Sequence, residues 1–476
     1  MITPAPTRHR RTQTACKAAG FAFCLVWAAA TLAFPMIKQM PAGYAPLALG
    51  LAAGFLLSRR RVRSAASRAL ARLSTPKFLA ALVLASLVLR LAAIPLFPAE
   101  PKSDPGFFHQ NAVKLMRGAE YGHPGRRAHY PPGMSLMLAA LYSLTGPSVL
   151  AGKVLNVLLG VAMVLGVYGL AHKTLSPLAA RWAGLLAAVM PTLVFYSTCL
   201  GYEILLGCIF LAVCALTIGS RRGGPAGLAA AAVTGLLLGF GALVKPICLL
   251  VPVICLVGWL ALGARWRALL YAGVCLALMA AVITPWTVRN YHVFGQFVLI
   301  STNAGEVLYS ANKPGATGLY QPHVKLPGET DELSRDRLGR EAAFRWIRQN
   351  PGDFARLAVR KTIFTWGTSS SIIAILSADR MPPGLESACK AVVNVFWAML
   401  LALCLVGAVT TSTWCRPALW PLHLLVLYVF LLHLVSEALS RHHIPVVGSL
   451  ILLAAAALAR PPTDRYPQEP PIATIT

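Results

Sequence analysis

Acidic residues are scarce in this chain, 16 among 476 residues, so a carboxylate beside an apolar run stands out. A carboxylate in or next to a bilayer is costly and marks a functional hypothesis by default. Asp104 opens a polar island that spans residues 99–133 and also holds Ser103, His109, Asn111, Lys114, Arg117, Glu120 and the run Ala128-His129-Tyr130-Pro131-Pro132-Gly133. Glu203 follows Tyr202 at the start of another apolar stretch. Each has a plain alternative: Asp104-Pro105 can cap and start a helix over 105–117, and an acid at a helix N-terminus is favoured by the macrodipole.

Cations form the second ingredient. Lys245 in Val244-Lys245-Pro246, Arg289 in Pro285-Trp286-Thr287-Val288-Arg289-Asn290, and Arg441 followed by His442 and His443 all stand at ends of apolar segments. Guanidinium and ammonium groups there can hold a lipid-linked phosphate; the alternative is snorkelling to lipid headgroups. His109, His123 and His129 share one loop, but their spacing matches no zinc signature, so no residue is assigned to a metal. Most of the 11 cysteines lie inside apolar runs without a CxxC pair and read as small membrane residues.

The elements that must position these groups are membrane helices. The chain is 57% hydrophobic and 12% charged, with mean hydropathy +0.64, which excludes an ordinary soluble domain. Its net charge of +27 would suggest nucleic acid in a soluble protein. The basic residues, however, cluster between apolar runs as in cytoplasmic loops that meet anionic lipid, so nucleic acid is not expected. Twelve segments are long enough to span, near 15–34, 42–58, 78–97, 150–171, 178–197, 201–219, 225–243, 246–263, 268–286, 388–411, 418–436 and 443–460. Arg8, Arg10 and Arg11 before the first of them read as flanking a retained anchor.

The run Pro132 to Gly146 is decided by the positive-inside rule. Only if it does not span do the basic clusters at 8–11, 59–77, 172–181, 221–222, 265–267 and 416 share one face, so it is expected to lie in the outer interface. Two loops then face outward, 98–149 and 287–387, with both termini in the cytoplasm. The second loop carries Glu341 to Arg348, an amphipathic stretch, and then Phe354 to Trp366, both expected as helices lying on the membrane surface. The chain divides into 1–77, two N-terminal helices with a basic loop; 78–286, a core that includes the first outer loop; 287–387; 388–460; and a Pro-rich tail, 461–476, expected to be disordered.

Several blocks together are similar to the GT-C glycosyltransferases, nearest to the bacterial protein O-mannosyltransferase and aminoarabinose-transferase-like branch. They are Ser103-Asp104 with Ala112 to Gly118, Tyr130-Pro131-Pro132-Gly133-Met134-Ser135-Leu136, Tyr202-Glu203, Gly239 to Pro246, Pro285 to Tyr291 with Phe294-Gly295, and Ala343 to Pro351. The resemblance covers about residues 78–460. It implies an all-α polytopic membrane protein of about twelve transmembrane helices, whose two external loops bear interfacial helices. It also implies an enzyme of the bacterial inner membrane that moves a sugar from a polyprenyl-phosphate donor to a lipid, glycan or protein acceptor at the outer face. The residue matching the family's loop aspartate is Asp104. This chain departs from the pattern with Phe108 where many relatives carry Tyr, with Arg441-His442 where an Arg-Tyr-like pair is usual, and with two helices before Arg59 that are additional to the usual core.

Inverting transfer from a phosphate-linked sugar needs a carboxylate to deprotonate the acceptor and cations to stabilise the leaving phosphate. Asp104 and Glu203 are the catalytic candidates. Lys245, Arg289 and Arg441 are the phosphate ligands, and His109, Tyr130, Tyr202 and His442 the positioning groups. No cofactor is required by this scheme; a divalent metal stays an option. The rival classes are a transporter or flippase, which usually shows inverted repeats that are not evident here, and a surface-polysaccharide polymerase or ligase.

Overall fold

A computed structural model describes residues 8–38, 43–321, 325–377 and 381–460; the expected disordered tail lies outside them. Among the described residues there are helices and no strands. The chain opens with α1 (Arg8–Ile37), α2 (Tyr44–Ser58) and the basic α3 (Arg60–Arg72), followed by α4 (Thr75–Leu96). The first outer segment contains α5 (Ser103–Met116) and α6 (Gly133–Thr145). The central bundle is α7 (Val149–Thr174), α8 (Pro177–Val189), α9 (Pro191–Tyr196), α10 (Glu203–Gly219), α11 (Gly224–Val244), α12 (Val251–Ala261) and α13 (Trp266–Phe294). The second outer segment holds α14 (Ala304–Ala311), α15 (Glu332–Gln349), α16 (Pro351–Trp366) and α17 (Ser371–Ser377), and the chain returns through α18 (Pro383–Thr410), α19 (Trp420–Val435) and α20 (Val447–Ala459).

Eight of these helical stretches are long and apolar enough to cross a membrane, among them Thr14–Ile37, Thr75–Leu96 and Ser440–Ala459. The expected spans at 42–58, 178–197, 201–219 and 246–263 are present as shorter apolar helices. Pro ends several of them: Pro191 breaks α8 from α9, and Pro246 follows Lys245 at the end of α11. There the missing amide and the fixed φ stop the helical ladder. With 13 residues, α6 is too short to span, which would take about 20.

Lateral packing relies on small residues. A Cβ on Gly50 or Gly54 of α2 would lie 2.2 Å from the Val395 carbonyl oxygen or 2.6 Å from the Ala402 Cβ of α18, and one on Gly235 of α11 2.4 Å from the Cys275 carbonyl oxygen of α13. Both Gly50-x-x-x-Gly54 and Gly235-x-x-x-Gly239 bring helix backbones together, the usual means of association where apolar burial discriminates little between protein and lipid.

Two expectations about local structure change. The helix after Lys102 begins at Ser103, with no side-chain cap, so Asp104 lies inside the first turn and is not its N-cap. Secondly, α16 lies at the surface only in its first half. Its second half, Lys361 and Ile363 to Trp366, is buried, and Trp366 packs edge-on against Phe23 of α1, with ring centroids 5.3 Å apart.

Candidate active site

The first outer segment is pinned before it can present anything. Loop 117–132 contains one short turn of its own, His123 paired with Arg126, and several of its other backbone groups find partners elsewhere. Glu332, buried at the start of α15, accepts from the amides of Arg127 (2.6 Å) and Ala128 (3.0 Å) and from the Thr302 hydroxyl. Arg289 donates to the carbonyls of Arg127 (3.0 Å) and Tyr121 (2.9 Å) and lies over the Trp286 ring. The Tyr121 hydroxyl donates to the Tyr130 carbonyl (3.0 Å). These ties from α13 and α15 fix where His129 and Tyr130 point.

Tyr130 and Asp104 then meet. The Tyr130 hydroxyl donates to Asp104 Oδ1 at 2.8 Å, and Arg441 Nη1 donates to Asp104 Oδ2 at 3.0 Å. Ser103, immediately before, takes a left-handed φ of 51°, a conformation that costs a non-glycine residue on the order of 1 kcal/mol and tends to persist where function needs it. Burial of Asp104 favours its neutral form, but the Arg441 charge and the Tyr130 hydrogen bond outweigh that, and the carboxyl is held below its ordinary range. Asp104 is therefore ionised and oriented at neutral pH.

The cations divide their work. Arg441 sits in a 3-10 turn, Ser440–Val446, ahead of α20; beyond Asp104 it approaches Glu437 Oε1 at 3.9 Å. Lys245, at the C-terminal end of α11, donates to the Tyr202 hydroxyl (3.0 Å) and to His442 Nδ1 (3.3 Å). Accepting from an ammonium requires a lone pair on Nδ1, so the His442 proton sits on Nε2, which faces Glu437 Oε1 at 3.6 Å. His442 also stacks on His433, 4.2 Å between centroids. Because an ammonium has three donors and these two partners are uncharged, Lys245 keeps capacity for an anion.

All of these groups line one cavity of about 1680 Å³. Its polar end carries Asp104, Tyr130, Tyr202, Lys245, Glu437, Arg441 and His442; Phe34, Pro35, Leu47, Ile247, Leu250, Phe364 and Leu432 are among its apolar lining. The two N-terminal helices, read from sequence as additions to a core, thus build part of the chamber wall. Phe108 packs between Tyr130 (5.9 Å) and Tyr202 (6.0 Å), filling the place where relatives were expected to carry Tyr.

Three expected site residues are elsewhere. Arg289 is not among the residues lining the cavity, and its guanidinium is engaged by the loop carbonyls of Arg127 and Tyr121, which it holds in place. Glu203, the residue after Tyr202, is 4% exposed and is not among the residues lining the cavity, although it lies within electrostatic reach of Arg441, Lys245 and Asp104. His109 is bonded to the Tyr142 hydroxyl at 2.9 Å, also off the wall. The loop histidines have separate neighbours: His123 meets Lys114 at 3.3 Å and His129 faces Glu306 at 4.0 Å. Among the described residues no three His, Cys, Asp or Glu come together as a metal site.

Glu437 and Glu306 line the cavity and were missed from sequence. Their signal was the scarcity of acids itself, since both stand in or beside apolar stretches. Burial pushes the Glu437 carboxyl up against the opposing pull of Arg441 and Lys245. Glu306 is placed by a close helix crossing: a Cβ on Gly305 would fall 1.7 Å from the Asp336 carbonyl oxygen, and the Gly305 amide donates to Asp336 Oδ1 at 2.6 Å.

Comparison with known proteins agrees with this architecture. A model of glycosyltransferase family 87 matches residues 128–321, the stretch from His129 and Tyr130 through Lys245 to Glu306. The archaeal oligosaccharyltransferase AglB from Archaeoglobus fulgidus, solved with an inhibitory peptide and a dolichol-phosphate, superposes with a TM-score of 0.50 at 12% identity, over 80% of this chain and 50% of that one. ArnT from Cupriavidus metallidurans bound to undecaprenyl phosphate gives 0.43 at 14% identity, over 81% and 78%. The chain spans about half the length of the archaeal protein. A search of curated protein sequences returned no match. The protein is a polytopic helical membrane protein with the GT-C fold, and its residues 128–321 match the glycosyltransferase family 87 model.

Proposed function

We propose that this protein transfers a sugar from a polyprenyl-phosphate carrier to a lipid, glycan or protein acceptor, with inversion, at the outer face of a bacterial inner membrane. One observation carries the reading: a single large cavity joins an oriented, ionised aspartate to a lysine with spare donor capacity and to an apolar stretch of wall that includes Phe34, Leu47, Ile247, Leu250 and Leu432. The apolar lining suits a carrier chain arriving from the bilayer, and the polar end suits its phosphate and sugar. The AglB and ArnT structures hold dolichol-phosphate and undecaprenyl phosphate, the same class of carrier. With the positive clusters at 59–77, 172–181 and 265–267 in the cytoplasm, the cavity faces outward and both termini inward.

In the transfer step Asp104 takes the proton from an acceptor hydroxyl. The acceptor oxygen forms a bond to the anomeric carbon while the bond from that carbon to the phosphate oxygen breaks. The electron pair leaves with the carrier monophosphate, whose charge Lys245 stabilises. Arg441 and Tyr130 hold Asp104 in place and act through it.

The test is transfer of radiolabelled sugar from polyprenyl-phosphate donors in membranes, comparing wild type with Asp104→Asn at matched expression. A loss of about 10²- to 10⁴-fold, the usual contribution of a general base, supports the assignment. Wild-type rates in the variant would remove Asp104 from its role. No transfer by the wild type from any donor, together with solute uptake into vesicles, would favour a transporter.

A further inference from the structure

We propose that Glu306 and His129 form a second polar station in the chamber, a subsite that binds a sugar hydroxyl, distinct from the Asp104 centre; this rests on reading the chamber as a glycosyl-transfer site. Both residues line the cavity. Both are more than nine-tenths buried, at 3% and 5% exposure, yet Glu306 Oε2 and His129 Nδ1 have no hydrogen-bond partner in the protein. Buried polar atoms are normally satisfied, so two facing orphans mark a place built for an outside group.

The geometry sets the group's chemistry. The two atoms are 4.0 Å apart, too far to bond each other, but a single oxygen within hydrogen-bonding reach of both would bridge them. Such an oxygen must donate its one proton to the carboxylate and accept from the imidazole Nδ1–H. A hydroxyl does both; a phosphate oxygen would face the carboxylate's charge and cannot donate. Burial keeps His129 from protonating, its pKa lowered despite the nearby Glu306 carboxylate, which leaves one nitrogen as donor and one as acceptor.

The carboxylate is also aimed. The Tyr320 hydroxyl donates to Glu306 Oε1 at 2.9 Å, which leaves Oε2 directed at His129, and the Gly305 crossing holds the helix that carries it. His129 is the residue before Tyr130, so the loop that orients the base also carries this station. The hydroxyl belongs either to the donor sugar or to the acceptor glycan.

The experiment uses the full chain in nanodiscs with radiolabelled polyprenyl-phosphate sugar as donor and total membrane glycolipid as acceptor, alongside equilibrium binding of bare undecaprenyl phosphate. In E306Q, kcat/KM is expected to fall about tenfold to a hundredfold, the worth of a charged hydrogen bond, while binding of the bare carrier stays at the wild-type value. If the hydroxyl is the donor's, the donor KM rises and the acceptor KM is unchanged; if it is the acceptor's, the reverse holds. Y320F, which releases the aim of Glu306 without removing it, gives a smaller loss in the same parameter and serves if E306Q does not fold. Wild-type transfer kinetics in E306Q, or in a folded Y320F when E306Q does not fold, would overturn the subsite and leave the transferase reading intact; an inactive wild type would overturn that reading first.

Discussion

Asp104 is useful because two neighbours disagree with its surroundings. Burial alone would push its pKa up; Arg441 at 3.0 Å and Tyr130 at 2.8 Å outweigh that and favour the anion. A carboxyl whose folded pKa is depressed contributes stability above its unfolded value, and that contribution is lost as pH falls through the folded value. The acid limb of the transfer profile therefore lies below the ordinary carboxylate range, and Tyr130→Phe should move it toward higher pH by removing one of the bonds that favour the anion. An unmoved limb would mean that another group governs it. Arg441→Met should be harsher. It leaves Asp104 and Glu437 buried without their cation, a loss on the order of 3–5 kcal/mol, read as failed insertion or a collapsed melting temperature in detergent. Lys245→Met keeps the fold and should weaken binding of undecaprenyl phosphate about tenfold or more, since one charged hydrogen bond to phosphate is lost.

At the scale of elements, helix ends do most of the positioning. Lys361 of α16 is fully buried and donates to Asn312 Oδ1 (2.7 Å) and to the Val435 carbonyl (2.9 Å), satisfying the C-terminal end of α19 just before Glu437 and Arg441. Burial lowers its pKa to about 7. The unfolded chain keeps that proton to about pH 10, so between these values the unfolded state binds more protons and stability rises with pH. Melting in detergent from pH 7 to 10 should show this rise, and Lys361→Met should flatten it. This element escapes the sequence because α16 reads as amphipathic and basic, a surface pattern, while its lysine turns inward to a helix terminus whose position only the fold reveals. Most segment boundaries, by contrast, were readable from hydrophobic length, and Pro246 marks the start of its run as expected; the break at Pro191, inside the span expected over 178–197, was not.

For the whole molecule, the GT-C architecture and the roles of Asp104, Lys245, Tyr130, Tyr202, Arg441 and His442 as cavity groups could be anticipated, because each is a polar residue at the end of an apolar run. Arg289, Glu203 and His109 satisfy the same criterion and are not on the wall; residue type and edge position cannot distinguish a group that faces the chamber from one that holds a loop. The wall formed by α1 and α2 was likewise hidden, although Gly50-x-x-x-Gly54 signalled a close helix partner. Gly50→Leu should wedge α2 away from α18, where even a Cβ would meet the Val395 carbonyl oxygen at 2.2 Å. The expected result is weaker retention of undecaprenyl phosphate with the Asp104 acid limb unchanged, because the polar end is built by other helices. Equal retention would show that the carrier does not lie along this wall.

His129 and Tyr130 are consecutive residues, one facing Glu306 and the other bonded to Asp104. Their Cα atoms are necessarily about 3.8 Å apart, and Pro131-Pro132 limits how the chain leaves them. The peptide bond between them is thus a measuring gauge between two carboxylates supplied by distant parts of the chain. Altering either carboxylate is expected to change how tightly a group beside it is held, whereas the two neighbouring residues that meet those carboxylates stay tied to one another by a single peptide link.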